Sequence, residues 1–173
     1  MKFTETDLSG SYLVELEPSS DERGFFARTW SRKEFADKGL DVDLNECAIS
    51  FNRRAGTLRG LHYQVSPFEE TKLVRCTAGA IFDVIVDLRP SSPTQRRWAG
   101  FQLSAGNRLM LYIPKGFAHG FQTLMDNTEV SYLLSGTYSP EHARVIRWDD
   151  ADLGIKWPSL PTVISARDQG IKR

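Results

Sequence analysis

Cysteine is scarce: Cys47 and Cys76 are the only two in 173 residues. Their spacing fits neither a disulfide framework nor a Cys-x-x-Cys metal pair. A reducing cytoplasm is therefore the expected location, and a buried, inert thiol the expected state of each. Excess charge of one sign is missing too, with 22 Lys and Arg against 22 Asp and Glu. No global field exists to attract nucleic acid or an anionic membrane, so an anionic ligand has to be held by a local basic pocket. No apolar run approaches the roughly 20 residues of a spanning helix. The charged opening Met-Lys-Phe-Thr-Glu-Thr-Asp lacks the apolar stretch of a signal peptide. There is no Gly-x-Ser-x-Gly elbow, no Gly-x-Gly-x-x-Gly and no P-loop. With 40% hydrophobic and 25% charged residues, disordered, coiled-coil and collagen-like chains are excluded. One domain over residues 1–173 is expected.

What is present is alternation. In Ala80–Leu88, Phe82, Val84, Val86 and Leu88 share one face, and Ile81, Asp83, Ile85 and Asp87 the other. Further strands are expected at Ser11–Glu17, Gly24–Trp30, Glu46–Asn52, Thr57–Gln64, Lys72–Cys76, Trp98–Leu103, Leu109–Ile113, His119–Thr123, Glu129–Leu134 and Val145–Arg147. Turn residues separate them at a spacing of about ten, the rhythm of a sandwich or barrel. One short helix is expected, with Ser31 as N-cap, Glu34 reaching back in a capping box and Gly39 as stop. The segment after Trp157-Pro158 is less patterned and is expected to lie across the barrel or its mouth. The fold class is all-β, with few and short peripheral helices.

Three histidines can be weighed singly. His142 sits among polar turn residues and is expected to be exposed. His62 and His119 each have a glycine nearby at a strand, where a ligand or another backbone can approach closely. They are either hydrogen-bonded barrel histidines or site residues. A metal is not expected, because no closely spaced histidines or cysteine pair supply three or four ligands. Acid–base chemistry on a bound anion remains. Strand parity groups Gly60, His62 and Gln64; Lys72, Val74 and Cys76; and Val130, Tyr132 and Leu134. If these faces point inward, a histidine, a lysine and a tyrosine meet in one polar cavity. A buried imidazole suits a general base, a held ammonium stabilises a developing oxyanion, and a tyrosine can donate from the opposite side. The alternatives are a snorkelling surface lysine and a core tyrosine with a satisfied hydroxyl.

At these residues the chain resembles the dTDP-4-dehydrorhamnose 3,5-epimerase family. The resemblance rests on Asp-Glu-Arg-Gly-Phe-Phe (21–26), Gly-Thr-Leu-Arg-Gly-Leu-His-Tyr-Gln (56–64), Thr-Lys-Leu-Val-Arg (71–75) and the run 79–89. It continues through Tyr-Ile-Pro-Lys-Gly-Phe-Ala-His-Gly-Phe (112–121), Glu-Val-Ser-Tyr (129–132), Trp-Asp-Asp (148–150) and Ile-Lys-Trp-Pro (155–158). It implies a cupin-type jelly-roll barrel, homodimeric through exchange of N-terminal strands and free of metal or organic cofactor. The implied substrate is a nucleotide-diphospho-sugar, a 4-keto-6-deoxyhexose epimerised at C3 and C5. It further implies His62 as general base, Asp168 as the carboxylate orienting it, Lys72 as enolate stabiliser and Tyr132 as the acid on the opposite face. Arg59 and His119 are implied to line the sugar pocket, Tyr138 to lie close to the catalytic centre, and Arg23 and Phe26 to reach the nucleotide of the neighbouring subunit.

Two departures fall near the implied nucleotide site: Arg28 stands where many thymidylyl-dependent members carry glutamate, and Cys47 where they carry glutamine. The surrounding Glu46-Cys-Ala-Ile-Ser-Phe-Asn is also less polar than their version. The nucleotide is then either dTDP, contacted differently, or a cytidine or guanosine diphosphate. Competing readings are inversion at a single carbon, a 3,4-ketoisomerase on a similar barrel and a non-catalytic sugar-nucleotide-binding barrel.

Overall fold

The computed structural model describes residues 1–171. In chain order the strands are β1 (Lys2–Glu5), β2 (Tyr12–Glu15), β3 (Ser19–Asp21), β4 (Gly24–Phe26), β5 (Glu46–Asn52), β6 (Thr57–Gln64) and β7 (Lys72–Ala78). They continue as β8 (Ala80–Asp87), β9 (Trp98–Ser104), β10 (Met110–Ile113), β11 (Phe117–Thr123), β12 (Thr128–Leu134), β13 (Ala143–Val145) and β14 (Val163–Ile164). One six-stranded sheet has the order β1-β2-β10-β7-β12-β5. The other runs β13-β6-β11-β8-β9, with β14 added parallel to β6, and β3 and β4 form a separate hairpin. All other pairings are antiparallel. This is the jelly roll that the family resemblance implies, and it agrees with the sandwich or barrel rhythm of the strands.

Alternation decides which side chains meet between the sheets. Val74, Cys76, Ile81, Ile85, Leu111, Phe121 and Val130 fill that space together with Leu8, each large side chain contributing about 1.5–3 kcal/mol on burial. On the outer face of the first sheet, Phe35 packs against Val14, Leu73, Met110 and Tyr112. Phe35 belongs to the helix α1 (Arg32–Asp37), whose N-cap Ser31 accepts a bond from the Glu34 N–H at 3.4 Å. The expected reciprocal bond is replaced: the Glu34 carboxylate accepts from the amino group of Met1. Gly39 follows the helix at φ +70, its N–H donating to Ala36 O. On the outer face of the second sheet, Leu61, Val84, Val86 and Ala118 lie under Leu153, Ile155 and Trp157.

Several boundaries differ from those expected. Gly24–Trp30 is strand only to Phe26, because β4 pairs with the three residues of β3 alone. The expected Val145–Arg147 strand lies two residues earlier, where Ala143, Arg144 and Val145 pair with Gln64, Tyr63 and His62. His142 is half-buried rather than exposed: its ring centroid lies 4.4 Å from that of Phe68, and its Nδ1 is 2.8 Å from Ser139 Oγ.

One irregularity shapes the interior. Along the β6–β11 pair, His119 opposes His62 and Phe121 opposes Arg59, so three steps on β6 match two on β11. The bulge falls at Gly60, which has φ +122 and precedes a cis peptide bond. A Cβ there would lie 2.5 Å from Gly120 Cα, so the two glycines let the strands touch. Beyond the bulge the parity of β6 reverses, and Arg59 joins His62 on the inner side.

Candidate active site

At one end of the space between the sheets lies a cavity of about 330 Å³ lined by Arg59 and His62 of β6, Lys72 of β7, His119 of β11, Tyr132 of β12, Glu70 and Tyr138. His62 and His119 belong to the second sheet, Lys72 and Tyr132 to the first. Imidazole and phenol therefore face the cavity from opposite walls. Among the expected site residues the structure brings these six together: His62, Lys72, Tyr132, Arg59, His119 and Tyr138.

Asp168 completes the set from behind. The tail runs back along β6 through β14 and places Asp168 Oδ1 2.7 Å from His62 Nε2. The other carboxylate oxygen accepts from Gly60 N–H at 3.2 Å, and the Asp168 N–H donates to Ser165 Oγ at 3.1 Å. Burial by itself would raise the Asp168 carboxyl. Hydrogen bonds from His62, Gly60 and Ser165, together with the charge His62 can carry, outweigh it and hold the group below its ordinary value. An ionised Asp168 fixes the His62 proton on Nε2 and leaves Nδ1 with a lone pair.

The other polar groups are positioned by equally specific partners. The Arg59 Nε–H donates to Asn52 Oδ1 at 2.7 Å. Lys72 Nζ lies 3.0 Å from Glu70 Oε1, with 10% and 13% of the two side chains exposed. His119 Nε2 lies 2.8 Å from Oδ1 of the fully buried Asp83. The Tyr132 ring meets His119 edge-on, centroids 6.2 Å apart. Burial pushes the Tyr132 hydroxyl well above its ordinary value, and the negative charge of Asp83 adds to the effect. Tyr138 is largely exposed at the mouth, its hydroxyl 3.5 Å from Arg167 Nη1. Among the described residues no three His, Cys, Asp or Glu side chains converge as a metal site would require.

Four expected residues do not reach this cavity within the chain. Arg23 is exposed on the β3–β4 hairpin and bonds to Asp21, Nη2 to Oδ2 at 2.6 Å. Phe26, 71% exposed, borders a different cavity of about 380 Å³ together with Phe25, Arg75 and Arg108. Arg28 is exposed. Cys47, expected to be buried, is exposed on the outer face of the first sheet, beside Leu73, Arg75 and Leu133. The reason is parity: the inward residues of β5 are Glu46, Ala48 and Ser50. Cys76 is buried as expected.

Glu70, Asp83 and Asn52 were not singled out by sequence reasoning. For Asp83 a signal existed: its parity places it inward with Ile81 and Ile85, and a carboxylate in such company needs a partner. Glu70 lies in the turn preceding β7, where no periodicity applies.

Comparison with known proteins agrees with this geometry. The family model described as dTDP-4-dehydrorhamnose 3,5-epimerase matches residues 5–173. The dTDP-4-dehydrorhamnose 3,5-epimerase of Sinorhizobium fredii is 44% identical, covering 97% of this chain and 87% of its own. The crystal structure of the Bacillus anthracis enzyme of that name, with TDP and PPi bound, superimposes with a TM-score of 0.93 at 41% identity, covering 97% and 96% of the two chains. The dTDP-6-deoxy-D-glucose-3,5-epimerase of Legionella pneumophila, in complex with dTDP-4-keto-L-rhamnose, gives 0.91 at 36% identity over 98% and 90%. An imidazole–carboxylate pair facing a lysine and a phenol across a jelly-roll cavity, together with relatedness along nearly the whole chain, leads to one assignment: this chain belongs to the dTDP-4-dehydrorhamnose 3,5-epimerase family.

Proposed function

We propose that the protein inverts C3 and C5 of a nucleotide-linked 4-keto-6-deoxyhexose, converting dTDP-4-dehydro-6-deoxy-D-glucose to dTDP-4-dehydro-L-rhamnose. The observation that carries this is the placement of His62 and Tyr132 on facing sheets, with Lys72 in the same cavity.

A C4 ketone acidifies the hydrogens on both C3 and C5, because either carbanion delocalises onto the same oxygen. The substrate carries its own electron sink. His62 Nδ1 removes the proton, Asp168 stabilises the imidazolium, and the electron pair moves to the C4 oxygen. Lys72 favours that enolate most as its charge develops. Tyr132 returns a proton from the opposite face, and the carbon is inverted. Arg59 and His119 line the sugar pocket, with Tyr138 at its mouth. The protein acts as a homodimer in which Arg23 and Phe26 of the neighbouring subunit reach the nucleotide. Neither residue lines this chain's own cavity, and Phe26 is 71% exposed, which supports that arrangement. Arg28 and Cys47 do not line the cavity of the sugar-directed residues, and dTDP is the nucleotide proposed because related structures hold TDP or a dTDP-linked sugar.

The test is proton NMR of dTDP-4-dehydro-6-deoxy-D-glucose with the protein in D₂O, beside a His62→Ala control. His62-dependent loss of the C3 and C5 signals is expected. Loss of one signal would reduce the activity to a single carbon. Exchange at neither carbon would overturn the proposal.

A further inference from the structure

If one histidine is the base and one tyrosine the acid, each inversion leaves the site in the wrong protonation state for the next. The C–H bond breaks toward His62, the electron pair moves to the ketone oxygen, and the new C–H bond takes the Tyr132 proton. His62 is left as imidazolium and Tyr132 as tyrosinate. A second inversion requires His62 to lose a proton and Tyr132 to gain one, and the direct route between them crosses the cavity that the sugar occupies.

His119 lies on that route. It is the cross-strand partner of His62 on the β6–β11 pair, and facing residues of such a pair have Cβ atoms about 4.5–5.5 Å apart. Its ring also meets the Tyr132 ring, centroids 6.2 Å apart. Its Nε2 is engaged by Asp83 Oδ1 at 2.8 Å, which leaves Nδ1 to accept and release a proton. Asp83 is fully buried, and among the described residues its Oδ2 has no hydrogen-bond partner. Among the described residues His119 is therefore the only side-chain hydrogen-bond partner of that carboxylate. A histidine that only filled space would gain nothing from a neighbour so costly to bury, whereas one that is transiently an imidazolium needs such a neighbour.

We propose that His119, held by Asp83, relays the proton from His62 back to Tyr132 and so resets the site between inversions. This rests on the epimerase reading above. The His62 N–H bond breaks as His119 Nδ1 gains the proton, directly or through one cavity water. His119 then yields it to the Tyr132 oxygen, and all three groups end neutral with no net oxidation. The elevated Tyr132 hydroxyl makes the tyrosinate a strong acceptor for this last step.

The test is a rapid-quench time course counting inverted carbons per active site in wild type, Asp83→Asn and His119→Gln. The variants are first checked for folding by circular dichroism and for dTDP binding. Either variant that folds is expected to show a burst of one inversion per site, then a phase about 10²-fold slower that accelerates with imidazole buffer at constant pH and ionic strength. Loss of the first and later inversions by the same factor, with no response to buffer, would overturn the relay. So would variants whose later inversions match those of wild type. Absence of any inversion by wild type would instead overturn the epimerase reading itself.

Discussion

Asp168 and His62 are 106 positions apart in sequence, yet carboxylate and imidazole meet at 2.7 Å, and the same carboxylate also accepts from the Gly60 N–H. The bond dictates which imidazole nitrogen is free. Asp168→Asn can present an amide N–H instead, which moves the proton to Nδ1 and removes the lone pair facing the sugar. The expected loss in kcat is about 10²–10⁴-fold. The pair also links stability to pH. Because the folded carboxyl sits below its ordinary value, its contribution is fully present above the unfolded carboxylate value of about 3.9. It is lost as pH falls through the lower folded value. Urea unfolding at a series of pH values should show wild type ahead of Asp168→Asn at pH 5–7 and the gap closing below about pH 4.

On the proposed mechanism, Tyr132 separates exchange from inversion. Without its hydroxyl, His62 can still remove a proton and return it to the face it came from. Tyr132→Phe should therefore incorporate deuterium from D₂O into unepimerised substrate while epimer formation falls at least about 10²-fold. Loss of exchange and inversion together would place the essential acid elsewhere.

Lys72 and Glu70 form an ion pair 3.0 Å long with little exposure. Lys72→Met removes a charge that matters most when the enolate forms, so kcat should fall with KM little changed. It also leaves the Glu70 carboxylate buried without its partner, at a cost of about 3 kcal/mol. Adding Glu70→Gln to that variant should restore the urea midpoint and leave kcat low. A double variant as unstable as the single one would show that the ion pair is not the source of the loss.

Gly60 is where the interior geometry is most exposed to a single methyl group. Its φ of +122 and a Cβ position 2.5 Å from Gly120 Cα leave no room for one. Gly60→Ala should lower stability by about 1–3 kcal/mol, seen as a lower denaturation midpoint. Activity should fall as well, because the β6 bulge is what points both Arg59 and His62 into the cavity.

That bulge also marks the limit of what alternation can tell. Period-2 patterning gave correct facings for Lys72, Val74, Cys76, Val130, Tyr132 and Ile85, all on regular stretches whose inner faces are buried. Parity carries His62 inward but cannot bring Arg59 to the same side, since the two are three positions apart and only an extra residue in the strand reconciles them. β1, β3 and β14 escaped notice: they are two to four residues long and mostly exposed, so burial imprints no alternation on them. Asp168 was legible only through resemblance, because its partner lies far away in sequence and its own neighbours are turn residues. Cys47 is exposed although a cysteine without a metal or disulfide spacing is expected to be buried, because its parity on β5 sets it on the outer face, opposite Glu46, Ala48 and Ser50.

The proposed subunit sharing can be tested without a structure of the assembly. Arg23 lies on the exposed hairpin, and among the described residues its side chain bonds only to its near neighbour Asp21, so Arg23→Ala should leave the fold intact and weaken nucleotide binding in the partner's site. On the proposed mechanism, His62→Ala removes the base from its own site. In a mixed dimer of the two variants, the site whose His62 is intact receives Arg23 from the His62→Ala subunit, and is therefore complete. The other site lacks both groups. Unfolding and refolding an equal mixture at substrate concentrations well below KM should recover activity that neither variant shows alone. If Arg23 served its own subunit, every site in the mixed dimer would lack one group and no activity would return.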